Sequence, residues 1–538
     1  MGEVVRFRGG ELSRLSLRTT QGSARWLEPD EAKENGLLDE PGLLFARSSY
    51  GVLRYPVKKG ASGVGEKHCI VVAPSRSGKG VGFVIPNLLT WPGSAFVIDP
   101  KGENAHFTAR RRAAFGNVYV LDPCGISGQK ARAFFNPLDW LLLSHDFDED
   151  LGHIVEALTP ESPGEPRLWN EGGRRLLKGV LLYLIATNDK RKTLGRAYEI
   201  LNAPESVWRK TIEGMQFCEG NSPTLNRKVR LEAAWYESLH ADHKEYHRGT
   251  AQFHLSWLGT DSARDMLERS SFDIRELKNG IATVYACIPP LSLEVFEGFT
   301  RLLTALSIKA VMLREADREK DLPILFMLDE FATTVGKMGV FDNSFTVIAG
   351  YGGRFALILQ TIDQLQSLYP ERRGVQSWKT VVQNSGLQLY FDAVKDTAAY
   401  VSAELGMKTE PVISPIGGSR EVQRPLLYPN EVSHPVDEAG RHVKDGIFAF
   451  VEGFPPIKSR RLCSFRDPEF VALHNPKDKI TRAVPSGVTL YQEALGLAVR
   501  DVQSIPGVLE DDKRMRPQVP ASLLEASARV SGWEPKAL

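Results

Sequence analysis

The amino-acid sequence predicts an α/β fold: a twisted, parallel-rich sheet with helices on both faces, interrupted by an inserted all-α domain. Three observations point there. Short continuous apolar runs, among them His68-Cys69-Ile70-Val71-Val72, Ala95-Phe96-Val97-Ile98 and Pro323-Ile324-Leu325-Phe326-Met327-Leu328, have the length of strands buried on both faces. These runs alternate with helix-capable segments, the pattern of parallel crossovers. Between about residues 140 and 275 the strand signals vanish and apolar residues recur at helical spacing.

At 538 residues the chain can bury a large core and form more than one domain. A hydrophobic content of 42% and a charged content of 25% are ordinary for a soluble globular protein. The net charge of +1 means that any nucleic-acid contact must come from local patches or an assembled channel. Cys69, Cys124, Cys218, Cys287 and Cys463 show no C-x-x-C spacing, so neither a disulfide framework nor a zinc site is expected, and the thiols read as reduced and cytosolic. No apolar stretch approaches the ~20 residues that span a bilayer, Gly179 to Ala186 being the longest candidate. The first residues lack a signal-peptide core, so the chain is expected to be soluble.

Taken in order, residues 1–66 read as an amino-terminal arm with one helix, Glu28 to Gly36, stopped by glycine. Residues 67–139 form the first part of a nucleotide-binding domain. The strand at His68 breaks into Ala73-Pro74-Ser75-Arg76-Ser77-Gly78-Lys79-Gly80-Val81, a loop of small residues that opens a helix-capable segment. Strand, loop and helix in that order are the context a P-loop needs, the alternative being an ordinary strand-turn-helix: in a P-loop, backbone N–H groups and a helix N-terminus hold phosphate oxygens, and Lys79 would add a mobile positive charge. The match is imperfect, since Ala73 replaces the first glycine and Gly80 the hydroxyl that usually touches Mg²⁺. Strands at Ser94 to Ile98 and Asn117 to Leu121 then end in Asp99-Pro100-Lys101-Gly102-Glu103-Asn104 and Asp122-Pro123.

Residues 140–275 form the all-α insertion, with helical runs at Leu168 to Ile185, Thr224 to Trp235 and Thr250 to Leu267. His240, His243 and His247 could share a helix face as a metal site, but Asp242, Lys244 and Glu245 between them favour a solvated face. Residues 276–466 resume the sheet with Ile281 to Ile288, a helix from Leu293 to Ala316, and the strand that delivers Asp329-Glu330. In that position the first acid holds Mg²⁺ and the second orients and deprotonates water; the bland alternative is a helix cap. Phe355 to Leu359 delivers Gln360-Thr361 to the same edge, where Gln360 can sense the γ-phosphate or cap the next helix. Leu387 to Phe391 is a strand, Lys395 to Leu405 a helix, and Gly446 to Glu452 with Ile457 to Phe465 are closing strands. Residues 467–538 are a weakly patterned tail with one candidate helix, Ala521 to Val530.

Ligands of open parallel sheets sit beyond the carboxyl ends of the strands. Lys79, Asp99, Asp122, Asp329 and Gln360 all fall there. No guanine-reading N-K-x-D and no transporter signature accompany them, and a strand ending in Gln after the acid pair favours a RecA-like motor core.

Gly22-Ser23-Ala24-Arg25-Trp26, the segment Ala73 through Gly82 with Pro86, Leu88-Leu89 and Trp91-Pro92-Gly93-Ser94, Asp99 through Asn104, Phe135-Asn136-Pro137-Leu138, Leu328-Asp329-Glu330-Phe331, Leu359-Gln360 and Arg424-Pro425-Leu426-Leu427 together resemble the TraG-like coupling proteins of type IV secretion and conjugation. The resemblance runs from about Gly22 to Phe465, and Ala73 and Gly80 match the family's own P-loop. It implies an ATPase using ATP and Mg²⁺, assembled as a homo-oligomer, a hexameric ring, peripheral to the cytoplasmic face of the inner membrane. Such a protein recruits single-stranded, relaxase-bound DNA or protein effectors and feeds them to the secretion channel. The resemblance implies that the insertion selects cargo and that Lys79, Asp329, Glu330 and Gln360 perform hydrolysis. On the P-loop side Ser77 or a water holds Mg²⁺. Relatives usually carry amino-terminal transmembrane helices, and none is legible here. Many also carry a trans-acting arginine before the Gln strand; Arg354 or Arg424 could substitute, or serve as a surface or salt-bridge arginine.

Arg110-Arg111-Arg112 and Lys458-Ser459-Arg460-Arg461 are local basic groups that could meet phosphate, although a charge run is more often a solvated face. Two further functions stay open: a cargo-recruiting adaptor with little turnover, and a DNA helicase or translocase outside secretion.

Overall fold

Strands whose every residue is apolar need cover on both faces, and the structure supplies it. The structure is a computed structural model that describes residues 22–56, 65–129, 132–142, 146–160, 167–187, 189–293, 295–317, 321–371, 377–413, 419–436, 442–443 and 445–474. Among the described residues there are thirteen strands, β1 (Gly42–Ser48), β2 (Gly51–Pro56), β3 (His68–Val72), β4 (Ala95–Ile98), β5 (Asn117–Leu121), β6 (Ala282–Ala286), β7 (Ile324–Leu328), β8 (Gly353–Leu359), β9 (Ser385–Phe391), β10 (Met407–Ile413), β11 (Ser419–Pro425), β12 (Gly446–Val451) and β13 (Ile457–Arg460).

Eleven strands form one sheet in the order β2-β1-β13-β12-β9-β3-β8-β7-β4-β6-β5, and β10-β11 make a separate ribbon. The seven from β9 to β5 run parallel. The four beyond β9 are antiparallel additions. This is the parallel-rich mixed α/β sheet expected from the apolar runs, with β8 between the P-loop strand β3 and the acid strand β7. All residues of β3, β4, β6, β7 and β8 are buried. Alternate residues serve opposite layers: Ile70, Val72, Phe326 and Leu328 face one core, while Cys69, Val71, Leu325 and Met327 face the other.

The described elements between Leu138 and Asn279, which separate β5 from β6, are all helical and share the first of those cores. The helix Phe147–Leu158 is tied to Glu297–Met312 by Lys309 Nζ to Asp150 Oδ1 at 2.8 Å. The run expected from Thr250 to Leu267 is broken, because the helix Ala241–His254 gives way to a 3₁₀ turn, Ser256–Gly259, and a short helix, Asp261–Met266. The histidines do share a face, with ring centroids 6.3 and 6.2 Å apart, but His247 is not solvated. It is buried and stacks on Trp235, with Gly172 so close that a Cβ there would lie 2.1 Å from its Cε1. Among the described residues no group of three or more acid, histidine or cysteine side chains is placed to hold a metal ion.

The amino-terminal arm contains a hairpin the sequence reading missed: β1 pairs with β13 through Arg47 and Arg460, and so joins the main sheet. The ribbon β10-β11 was also missed. Of the run Arg110-Arg111-Arg112, Arg110 is exposed and Arg111 half-buried, as a solvated face expects, but the third residue turns inward. Arg112 is fully buried, donating from Nε to Thr283 Oγ1 at 2.8 Å and from its two amino groups to Trp91 O and Gly93 O. Among the described residues no helix is long and apolar enough to cross a membrane. The candidate helix Ala521 to Val530 lies outside the described residues.

Candidate functional site

β3 continues past Val72 by one hydrogen bond, Ala73 N to Leu359 O at 2.8 Å, and then turns. Pro74 O accepts from Ser77 N at 3.2 Å, closing the turn. Arg76 and Gly78 take the left-handed conformation, φ 68° and 86°. At Gly78 the requirement for glycine is double, since a Cβ would also stand 2.4 Å from Arg461 Nη1. Lys79 begins the helix, whose first turn, Gly80–Val84, is π-helical before it continues as Ile85–Thr90. Val81 thus lies inside that first turn, and nothing stands within 4 Å of where a Cβ on Gly80 would be.

β7 ends at Leu328 and hands over Asp329 and Glu330. Glu330 is also left-handed, φ 54°, a conformation costing about 1–2 kcal/mol for a residue with a Cβ. Thr334 Oγ1 holds the turn, donating to Asp329 O and Glu330 O at 3.1 Å. That strained turn brings both carboxylates onto Lys79. The ammonium lies 2.8 Å from Asp329 Oδ1 and 2.5 Å from Glu330 Oε1, with all three side chains less than a fifth exposed. From β8, between them, Gln360 Nε2 donates to Glu330 Oε2 at 2.9 Å. Gln360 is itself anchored by its backbone N–H on Gln364 Oε1 at 2.8 Å. Four residues from three segments, 30 to 281 positions apart in sequence, form one hydrogen-bonded group.

The electrostatics follow from crowding. Burial works against the Lys79 charge, but Asp329 and Glu330 outweigh it and hold the ammonium above its ordinary range. Burial pushes Asp99, at the end of β4, up to about 7, against the Ala105 N–H that donates to it at 2.8 Å; the Asp329 charge adds to the rise. Glu103 is raised too, first by burial. Ser77 Oγ is buried and has no hydrogen-bond partner among the described residues. An orphaned buried hydroxyl in the loop, together with the carboxylates of Asp329 and Glu330 on Lys79, fits the oxygen ligands of a hard divalent cation bound with a polyphosphate.

Asp122 reaches the same sheet edge but is spent on its own loop, accepting from Ile126 N, Ser127 N and Ser127 Oγ at 2.6–3.0 Å. The two arginines weighed for a trans-acting role stand away from this chain's own Lys79 and its acids. Arg354 sits at the opposite, amino end of β8, buried, its Nη1 donating to Ala349 O and Gly353 O. Arg424 is on the ribbon, bridging Glu410 and Glu431 at 3.0–3.1 Å. The arginine that does touch the loop is Arg461, whose Nη1 donates to Ser77 O. Its sequence signal was only membership of a basic run; nothing in its spacing pointed to Ser77.

The family model for Type IV secretory system conjugative DNA transfer matches residues 25–487. Protein VirD4 of Rhizobium radiobacter is 27% identical over 408 residues, taking in 73% of this chain and 56% of that protein. Conjugal transfer protein TraG of Escherichia coli is 26% identical over 508 residues, 84% of this chain and 78% of that protein. The chain thus spans little more than half the length of that VirD4. Among solved structures, the bacterial conjugative coupling protein TrwBdeltaN70 aligns over 85% of this chain and 95% of its own, with TM-score 0.60 and 16% identity. The plasmid coupling protein TrwB in complex with ADP and Mg²⁺ aligns over 86% of this chain and 99% of its own, with TM-score 0.59 and 16% identity, which shows a common fold. With 463 of its residues inside the family model and a parallel sheet of that fold, this chain belongs to the Type IV secretory system conjugative DNA transfer family.

Proposed function

We propose that the chain is an ATP-hydrolysing coupling protein of a type IV secretion or conjugation system, which recruits DNA or protein effectors and passes them to the channel. The observation that carries this reading is the Lys79 ammonium held between Asp329 and Glu330, with Gln360 on the far oxygen of Glu330, at the carboxyl edge of the parallel strands. TrwB, of the same fold, was solved with ADP and Mg²⁺. In this reading Asp329 and the Ser77 hydroxyl hold Mg²⁺, and Mg²⁺-ATP supplies the electrophilic phosphoryl group with its charge partly neutralised. Lys79 exchanges its carboxylates for phosphate oxygens. The exchange frees Glu330, which accepts a proton from the attacking water as general base. Gln360 keeps that carboxylate oriented through its amide and reports loss of the terminal phosphate to the helix that follows. The helices of residues 140–275 select cargo, and subunits assemble as a hexameric ring at the cytoplasmic face of the inner membrane.

The test is turnover of the purified protein with ATP and Mg²⁺, with and without single-stranded DNA. Turnover that rises with DNA supports the motor. A protein that binds ATP yet hydrolyses it no faster than its Lys79→Ala variant, even with DNA, is a recruiting adaptor instead.

A further inference from the structure

Arg461 immediately follows β13 and lies against the phosphate loop. Its backbone N–H donates to Asp445 O at 2.8 Å, which fixes where the side chain starts. The stem runs past Gly82, where an added Cβ would come within 3.5 Å of Arg461 Cβ. The guanidinium then donates to Ser77 O and occupies the space that a Cβ on Gly78 would need. Three residues on, Ser464 N donates to Val81 O at 2.9 Å. The segment leaving β13 is therefore fastened both to the loop and to the first turn of its helix.

In a trans peptide the C=O and N–H point in opposite directions. A donor on the carbonyl of Ser77 therefore turns the N–H of Gly78 the other way. Gly78 is the residue of the loop whose left-handed backbone has the widest rotational freedom, so its peptide gains most from an external restraint. A donor already aimed at an incoming anion avoids paying the ordering entropy on binding. We propose that Arg461 is a positioning residue of the nucleotide site: its guanidinium holds the Ser77–Gly78 peptide so that Gly78 N–H is presented to a phosphate oxygen. This rests on the nucleotide-site reading above, and it makes the strand-end segment 461–464 part of the site.

The experiment measures the dissociation constant of a non-hydrolysable ATP analogue with Mg²⁺, and the melting temperature without nucleotide, for four proteins. Arg461→Met keeps the stem and removes every donor; Arg461→Lys keeps a donor; Lys79→Ala and the wild type are the references. Loss of one prepaid hydrogen bond to phosphate predicts affinity weaker by roughly tenfold in Arg461→Met. Most of that loss should be recovered in Arg461→Lys, with both melting temperatures near the wild type. If Arg461→Met binds like the wild type while Lys79→Ala does not bind, the proposal is overturned and the site stands. Equal weakening in the methionine and lysine variants overturns it as well, because the donor is then irrelevant. A methionine variant that does not fold makes Arg461 a residue of the fold, with the same consequence. If Lys79→Ala binds normally, the nucleotide site itself is misplaced.

Discussion

Glu330→Gln separates binding from chemistry at this site. The carboxylate accepts from Lys79 at Oε1 and from Gln360 at Oε2. An amide has an oxygen at only one of these two positions and a donating NH₂ at the other. Lys79 has no acceptor to offer, and the new oxygen must face it. The new NH₂ then faces Gln360, which satisfies it by turning its own amide through 180° to present oxygen. The hydrogen bonds survive, and Lys79 still has Asp329 at 2.8 Å. The change in folding stability is therefore about 1 kcal/mol or less. Removing a negative charge beside a triphosphate leaves nucleotide affinity unchanged or improved. What is lost is the proton acceptor, and general-base catalysis contributes about 10²–10⁴ in rate, or about 3–5 kcal/mol of barrier. The assay pairs steady-state turnover in the presence of single-stranded DNA with equilibrium binding of a non-hydrolysable analogue. Turnover within tenfold of the wild type, or binding as weak as in Lys79→Ala, would refute the assignment of Glu330 as base.

Two other outcomes test the frame around the site. Arg112→Met strands the carbonyls of Trp91 and Gly93 and the hydroxyl of Thr283 in the interior; it should cost about 3–5 kcal/mol, read as a lowered denaturant midpoint, and a shift below 1 kcal/mol would contradict the buried contacts. His68, between Phe345 O at 2.6 Å and Phe355 N at 3.2 Å, is pushed down to about 4 by burial, so the fold holds it neutral. A depressed folded-state value gives stability that is full above the unfolded value near 6.5 and is lost as pH falls towards 4. Asp99, raised to about 7, has the opposite sign: its contribution is full below its unfolded value and is lost as pH rises through 7. The wild-type curve mixes the two. The difference between the wild type and His68→Gln isolates the histidine: from pH 7 to 5 the wild type should lose about 2 kcal/mol more than the variant, and parallel curves would show that His68 does not titrate with folding.

The site was legible because its parts lie at the ends of buried parallel strands. An apolar run such as Pro323 to Leu328 cannot be mistaken for surface, and the polar residues that end it must lie at the sheet edge. That one rule gathered Lys79, Asp99, Asp329 and Gln360 at one edge, and it also swept in Asp122, whose carboxylate is taken up by its own loop. Arginines resisted reading for a physical reason. A guanidinium is equally at home in water, on a carboxylate or across buried carbonyls, so Arg112, Arg354 and Arg461 look alike in sequence while doing different work. The β1–β13 pairing was invisible for another reason, since it joins Arg47 to Arg460 and nothing local in the arm announces so distant a partner.

The most direct measurement is ATP binding and hydrolysis by the wild type and by Lys79→Ala, prepared side by side and checked for equal helix content. Removing the ammonium leaves two adjacent carboxylates with no cation between them and no charge to meet a phosphate. The variant should retain its fold, lose nucleotide affinity and lose turnover. A folded Lys79→Ala protein that binds and hydrolyses ATP at the wild-type level would contradict the assignment of this lysine and its two acids as the engine of the molecule.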